Sequence, residues 1–398
     1  MRKLNKTAAC GILAAALAAG TLSGCSKAID GTKTVATVGD EKVTLGLASY
    51  VTRDQQAQTM SYYNMLMSQY GVSGSASNVW DQKGDDGKTV GESSKDSVMK
   101  TINQLYVLKA HAADYDVTIT EDEEKAIKEA AAEFIKDNDE KILKKLAVSE
   151  DDIVTYLELV TIRSKMHDPM TADVDTEVSA NEKDQTRVTI VKVSTEGTEK
   201  DDDGNTIDLT DEEKAQKKDL AQQVLDKVKA SDDVANADMD ALAKEVDDSL
   251  SATAPAFTTA GDTDDTLDEA VQDAALELKD GEVADKVIEG DDGYYVVRLD
   301  KMLDEDATEN KEKTVISERK SDLYDSTLED WVKEEKIKVD DKVWDQIKVT
   351  DSVSFEYKST DSSKGDSTAT DADSTKDTED TSAQDSSASD SAAEDSAE

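Results

Sequence analysis

The sequence predicts a mainly helical α+β fold with one compact β-containing insert, and three observations carry that expectation. Apolar residues recur at helical spacing between residues 45 and 167 and again between 308 and 335. Beyond an opening hairpin, β-rich runs gather between 187 and 299, as Val188-Thr-Ile-Val-Lys-Val193 and Tyr294-Tyr-Val-Val-Arg-Leu299. The 398 residues hold only two prolines, Pro169 and Pro255, which suits long helices and argues against a many-turned β-sandwich.

Taken in order, Val35-Ala-Thr-Val-Gly-Asp-Glu-Lys-Val-Thr-Leu reads as a strand, a Gly39-Asp40 turn and a return strand. A helix is expected from Leu45 to about Tyr70, carrying Leu47, Val51, Met60, Met65 and Leu66. Its cluster Met60-Ser-Tyr62-Tyr63-Asn-Met65-Leu-Met67 suits an adaptable binding surface, but helical spacing favours core packing. Gly71–Gly91 is rich in Gly, Ser and Asp and reads as a loop. Ser93 to about Tyr115 is a second helix. Thr120-Glu-Asp-Glu123 has capping-box spacing and opens a third, through Asn138. A short helix covers about 139–146. Ser149 caps another, which buries Ile153, Leu157 and Val160 and ends near His167. Asp168–Asp184 is then a linker, with Pro169 near its start.

From Arg187 the pattern changes to β-α-α-α-β-β. The helices are Thr210 to about Val228, opened by the capping-box match Thr210-Asp-Glu-Glu213, then 237–246 and 267–278. Lys286–Ile288 and Tyr294–Leu299 are the closing strands. A long helix follows from about Thr308 to Glu335, and a shorter amphipathic segment holds Val343, Trp344 and Ile347. Asp361–Glu398 has twelve acids, two lysines and no large apolar residue, so it buries nothing and is expected to be disordered.

The chain carries 91 acidic and 46 basic side chains, a net charge of −45. That argues against direct nucleic-acid binding, which needs clustered Lys and Arg. No stretch after the first two dozen residues approaches the ~18 apolar residues of a membrane span. Arg2, Lys3 and Lys6 followed by apolar Ala8–Gly20 read as a targeting segment, Met1–Gly24, outside the fold. Leu22-Ser23-Gly24-Cys25 resembles the lipobox of bacterial lipoproteins. That resemblance implies cleavage before Cys25, acyl chains on its thiol, and a lipid-anchored protein on the extracytoplasmic face of a bacterial membrane. Cleavage removes three positive charges and no negative ones, taking −45 to −48. It also removes Cys10, so no disulfide supports the remaining chain.

Several motifs yield little. Glu199-Lys-Asp201-Asp-Asp203-Gly204 is the start of a calcium loop without the Asp first and Glu twelfth positions, so it reads as a solvated loop. His111 has no Cys or His partner nearby in sequence. Neither a G-x-S-x-G elbow nor a phosphate-binding glycine loop occurs. No metal and no cofactor are expected.

The layout resembles the PrsA-type and SurA-type foldases, exported chaperones with parvulin (PpiC-type) peptidyl-prolyl isomerase domains. The opening Val-Ala-Thr-Val-Gly-Asp-Glu-Lys-Val-Thr is similar to the "V-x-x-V-N-G-x-x-I-T" start of such chaperone domains. Leu276-Glu-Leu278-Lys-Asp-Gly281-Glu282-Val283 and Gly293-Tyr-Tyr-Val-Val-Arg-Leu299 resemble the parvulin ending "A-F-x-L-x-x-G-E-x-S" and "G-Y-H-I-I-K-L". The order of helices, parvulin-like segment and closing helix is the third likeness. It implies a signal peptide over 1–24, a tether over 25–33, a helical chaperone domain over 34–183, a parvulin-like insert over 184–304, helices completing the chaperone domain over 305–358, and a tail over 359–398.

The two parvulin histidines correspond to Thr189 and Tyr295, and an acid near the groove to Asp247 or Asp248. The apolar proline pocket corresponds to Phe257, Leu267, Val271 and Leu276. The only histidines, His111 and His167, lie outside this segment. Isomerisation requires only that the twisted amide be bound better than the planar one. Thr189 and Tyr295 hydroxyls can donate hydrogen bonds, so a weak residual activity and a domain kept only for binding both stay open. The implied partners are unfolded exported proteins and the membrane, with a homodimer left open. A solute-binding lipoprotein of a transporter and a clientless structural surface protein are the alternatives. The first should show repeated βα units, which this chain does not.

Overall fold

The computed structural model describes residues 17–19, 29–70, 78–198, 200, 206–259, 267–353 and 355–357. Cys25, most of the Glu199–Gly204 loop and the acidic tail lie outside the described residues.

A three-residue strand, β1 (Leu17–Ala19), comes first, followed by the expected hairpin of β2 (Thr34–Val38) and β3 (Glu41–Thr44). Gly39 takes φ +57° in its turn, a conformation that costs other residues more. The expected tether is partly docked: Leu45 N–H donates to the Lys33 carbonyl and Gly46 N–H to Gly31. A Cβ on Gly31 would lie 1.8 Å from the Ala147 carbonyl oxygen, so only glycine fits there.

Five helices form the helical body: α1 (Leu45–Gln69), α2 (Val90–His111), α3 (Glu121–Asp137), α4 (Glu140–Leu146) and α5 (Glu150–Met170). Thr120 with Glu123, and Ser149 with Asp152, form capping boxes at α3 and α5. Tyr50 of α1 meets Phe134 of α3 and Tyr156 of α5 edge-on, with ring centroids 5.2 and 5.3 Å away. Such edge contacts add to the area that the rings bury. Contrary to expectation, α5 runs through Pro169. Its last turn is held because Met170 is buried and the Thr171 hydroxyl caps the His167 carbonyl at 2.9 Å.

The insert follows a short helix, α6 (Ala180–Lys183). It comprises β4 (Gln185–Ser194), α7 (Asp211–Lys229), α8 (Met239–Lys244), β5 (Ala252–Thr253), β6 (Ala256–Thr258), α9 (Glu269–Leu276), β7 (Ile288–Glu289) and β8 (Gly293–Lys301). The sheet order is β5-β4-β8-β7, with β6 also on β4. β4 and β8 are central and antiparallel, with Lys192 opposite Tyr295. Alternation along both strands makes two apolar faces. Val191, Val193, Tyr294 and Val296 pack on α7 and α8, while Val188, Ile190, Tyr295 and Val297 pack with α9 and β6.

The chain then returns through α10 (Glu305–Glu334), β9 (Ile337–Val339), α11 (Asp341–Trp344) and β10 (Phe355–Tyr357). The first half of α10 and its cap lie at the junction of the insert with α6 and the body. Arg187 pairs with the α10 cap Asp304, and Arg319 Nη2 donates to Glu182. Further along α10, Trp331 stacks on His111 at 4.0 Å, and Tyr324 lies 5.5 Å from His167. Both histidines therefore serve packing between α10 and the body.

β9 pairs with β2, so the C-terminal segment completes the opening hairpin's sheet. It is also latched onto α1. The nearly fully buried Arg53 donates to the Lys348 carbonyl at 2.9 Å and to Gln56, and lies over the Phe355 ring. Burial pulls the Arg53 guanidinium down to about 10. Tyr357 donates to Asp54 at 2.8 Å, and burial pushes that carboxyl up. Within the expected targeting segment, β1 pairs antiparallel with β10, Leu17 opposite Tyr357 and Ala19 opposite Phe355. The expectation that all of Met1–Gly24 stands apart from the fold is corrected at those three residues, whose backbone satisfies the β10 edge.

Candidate functional site

Tyr295 stands near the start of β8, on the face that packs with α9. Its hydroxyl donates to Asp292, which also accepts from the Lys192 ammonium of β4. Burial raises the Tyr295 pKa, and donation to a carboxylate raises it further, so the phenol stays protonated. For Asp292 burial works upward, but the two donors win and hold the carboxyl below its usual range. The Tyr295 proton is thus committed to Asp292. Gly290 makes room for this arrangement: a Cβ there would sit 2.4 Å from an Asp268 oxygen and 2.8 Å from the Tyr295 ring.

Thr189 does not join it. It lies on the opposite face of the sheet, where its Oγ1 donates to Asp300 at 2.6 Å. Arg298 donates to the same carboxylate at 2.7 Å and reaches the carbonyls of Val234 and Ala237. Thr189 therefore belongs to a structural cluster that fastens a short turn before α8. The expected threonine–tyrosine pair is corrected, because period-two alternation places positions 189 and 295 on different faces of paired strands. Asp248 is exposed in the turn between α8 and β5.

The pocket residues divide. Phe257, Leu267 and Val271 do come together, in one cluster with Val188, Ile190 and Tyr295. Phe257 and Val271 have no exposed surface at all. That cluster is a closed core rather than an open cradle. Leu276, the last residue of α9, stands outside it and is 38% exposed, while its neighbour Ala275 fills the buried position.

Lys192 and Asp292, which hold Tyr295, escaped sequence reasoning. Their meeting depends on the β4–β8 register, and no local signal carries that. In the helical body, a cleft of about 450 Å³ opens between the β2–β3 hairpin and the α4–α5 junction. Thr44, Tyr106, Lys109 and Asp152 are among its walls, and Lys109 is already paired with Glu41. Among the described residues no group of three or more His, Cys, Asp or Glu side chains could hold a metal ion. No helix among them is long and apolar enough to cross a membrane.

Residues 199–314 match the family model of the PPIC-type PPIASE domain. This segment is a PpiC-type peptidyl-prolyl isomerase domain. The match starts after β4 and ends within α10, so the domain's first strand is supplied by residues ahead of it. No curated protein matches the chain. Among solved structures it is similar to the foldase protein PrsA from Lactococcus lactis, at 14% identity over 78% of this chain and 96% of that one, with a TM-score of 0.31. It is also similar to a peptidylprolyl isomerase (PrsA) from Bacillus cereus, at 19% identity over 68% and 97%, TM-score 0.29. A SurA-like chaperone of Campylobacter jejuni matches at 10% identity over 77% and 98%, TM-score 0.26.

Proposed function

We propose that the chain is a lipid-anchored extracytoplasmic foldase that holds unfolded exported proteins, with a PpiC-type domain of weak or lost isomerase activity. The observation that supports this reading is the PpiC-type match over 199–314, whose core clusters are separate from that of the helices around it, while β9 beyond it pairs back onto β2. In this reading the helical parts 34–183 and 305–358 form one chaperone domain and Cys25 bears the anchor. The insert, 184–304, stabilises the assembly and contributes little chemistry. Tyr295 spends its only proton on Asp292, Thr189 is turned away, and Phe257 and Val271 are sealed from a proline ring. Cleavage before Cys25 would also remove β1 and free the backbone edge of β10.

Two assays on the full chain test this. Light scattering of an aggregating unfolded protein should fall when the chain is added. A protease-coupled prolyl-peptide assay should stay near the uncatalysed rate. Undiminished aggregation would overturn the holding role, and strong acceleration of isomerisation would overturn the lost activity.

A further inference from the structure

Among the described residues, the last three turns of α1 and its cap are the one stretch of helix in the body that exposes large apolar side chains. No residue of α1 after Met60 is buried, although the helix continues to Gln69. Tyr62 is 58% exposed, Met65 61% and the capping residue Tyr70 75%. Tyr63, Leu66 and Met67 are only half-buried. This is the Met and Tyr cluster that helical spacing assigned to the core, and that expectation is corrected. Met60 is its last anchor, packed with Trp80 and Val349.

Charge sharpens the point. From Gln55 to Trp80 there is no Asp, Glu, Lys or Arg, in a chain where 34% of residues are charged. A helix end that is apolar on most sides and uncharged is expected to be covered. Nothing in the chain's own described residues covers it.

We infer that this end of α1 docks apolar segments of unfolded clients whose flanks are basic, a specificity that rests on the foldase reading above. Methionine and tyrosine give a large, adaptable contact area without demanding one partner shape. The helical parts 34–183 and 305–358 hold 44 acidic and 26 basic side chains, a net −18 within the chain's −45, so an approaching partner with positive charge is favoured over one with negative charge. A second copy brings the same negative charge and is repelled, which leaves the basic-flanked client as the fitting occupant.

Fluorescence anisotropy with the full chain tests this. The probe is a labelled synthetic peptide with a Leu/Val/Phe core and lysines at both ends, beside the same core with glutamates at both ends. The lysine peptide should bind, more weakly in high salt, and the glutamate peptide about tenfold less tightly. The double variant Tyr62→Gln, Met65→Gln should lose about tenfold for the lysine peptide while melting at the same temperature, since both side chains are exposed. Equal binding by the variant, or by the glutamate peptide, would overturn the inference. So would a concentration-dependent dimer in sedimentation that the variant abolishes, which would assign the patch to a second copy. If the wild-type chain suppresses aggregation and the variant suppresses it equally, this inference fails alone. A wild-type chain that leaves aggregation unchanged removes the foldase reading instead.

Discussion

Phe257 on β6 and Met65 on α1 are both large apolar side chains, yet Phe257 has no exposed surface and Met65 is 61% exposed. The difference follows from what each element packs against. β6 is paired to β4 at Thr186, and α9 closes over it through Val271 and Ala275. The end of α1 has run past Trp80 and Val349, the last residues that contact its buried side at Met60. One region has spent its apolar area on folding, and the other still has it available for a partner. The area removed from water, at ~25 cal/mol per Å², therefore appears as stability in the insert and, in the docking proposed above, as binding at the end of α1.

The sharpest way to break this comparison is Phe257→Ala. If the cluster is core, the loss is ~3–5 kcal/mol of stability, read as an earlier denaturant midpoint, with a general rather than a binding-specific defect. A stable variant with weaker client binding would instead make Phe257 part of an open pocket. Next in size is Tyr295→Phe, which removes the donor to Asp292 and should cost about 1 kcal/mol. The prolyl-peptide rate should not change. A drop in isomerisation rate would show that the phenol works on substrate.

Asp292 gives a smaller effect with a definite sign. Its carboxyl is held below its usual range, so its stabilisation is complete above the unfolded value of ~3.9 and is lost as pH falls through the lower folded value. The side chain is 42% exposed, so screening limits the effect. Hydrogen exchange of β8 amides should be faster in Asp292→Asn than in wild type at neutral pH. The two should converge at pH values below both carboxyl values. A difference that persists in acid would contradict the ion-pair account. The smallest stability effect is Met65→Gln, within about 0.5 kcal/mol.

The helices were the legible part of this fold. Thr120 with Glu123 and Thr210 with Glu213 announce helix starts locally, and both boxes are present. Strands β5, β6 and β9 carry no local sequence signal, because they are two or three residues long and exist only through their partners. The continuation through Pro169 depends on the burial of Met170, which no local signal carries. At the candidate site, Tyr295 was found from its motif, but its partners Lys192 and Asp292 required the strand register. The misplacement of Thr189 has the same origin: alternation tells which residues share a face, and only the register tells which face meets Tyr295. Helical spacing grouped Met60 with Met65 correctly on one helix, but it could not tell where the helix outruns its neighbours.

Site-specific photo-crosslinking tests the central claim most directly. A photoreactive phenylalanine analogue is placed at Met65 in one full-length chain and at Leu276 in another, two exposed positions on the two regions compared. Each chain is irradiated with an unfolded, aggregation-prone protein. The account predicts abundant adducts from position 65 and few from position 276. Adducts formed mainly from position 276 would return client binding to the PpiC-type domain and contradict it.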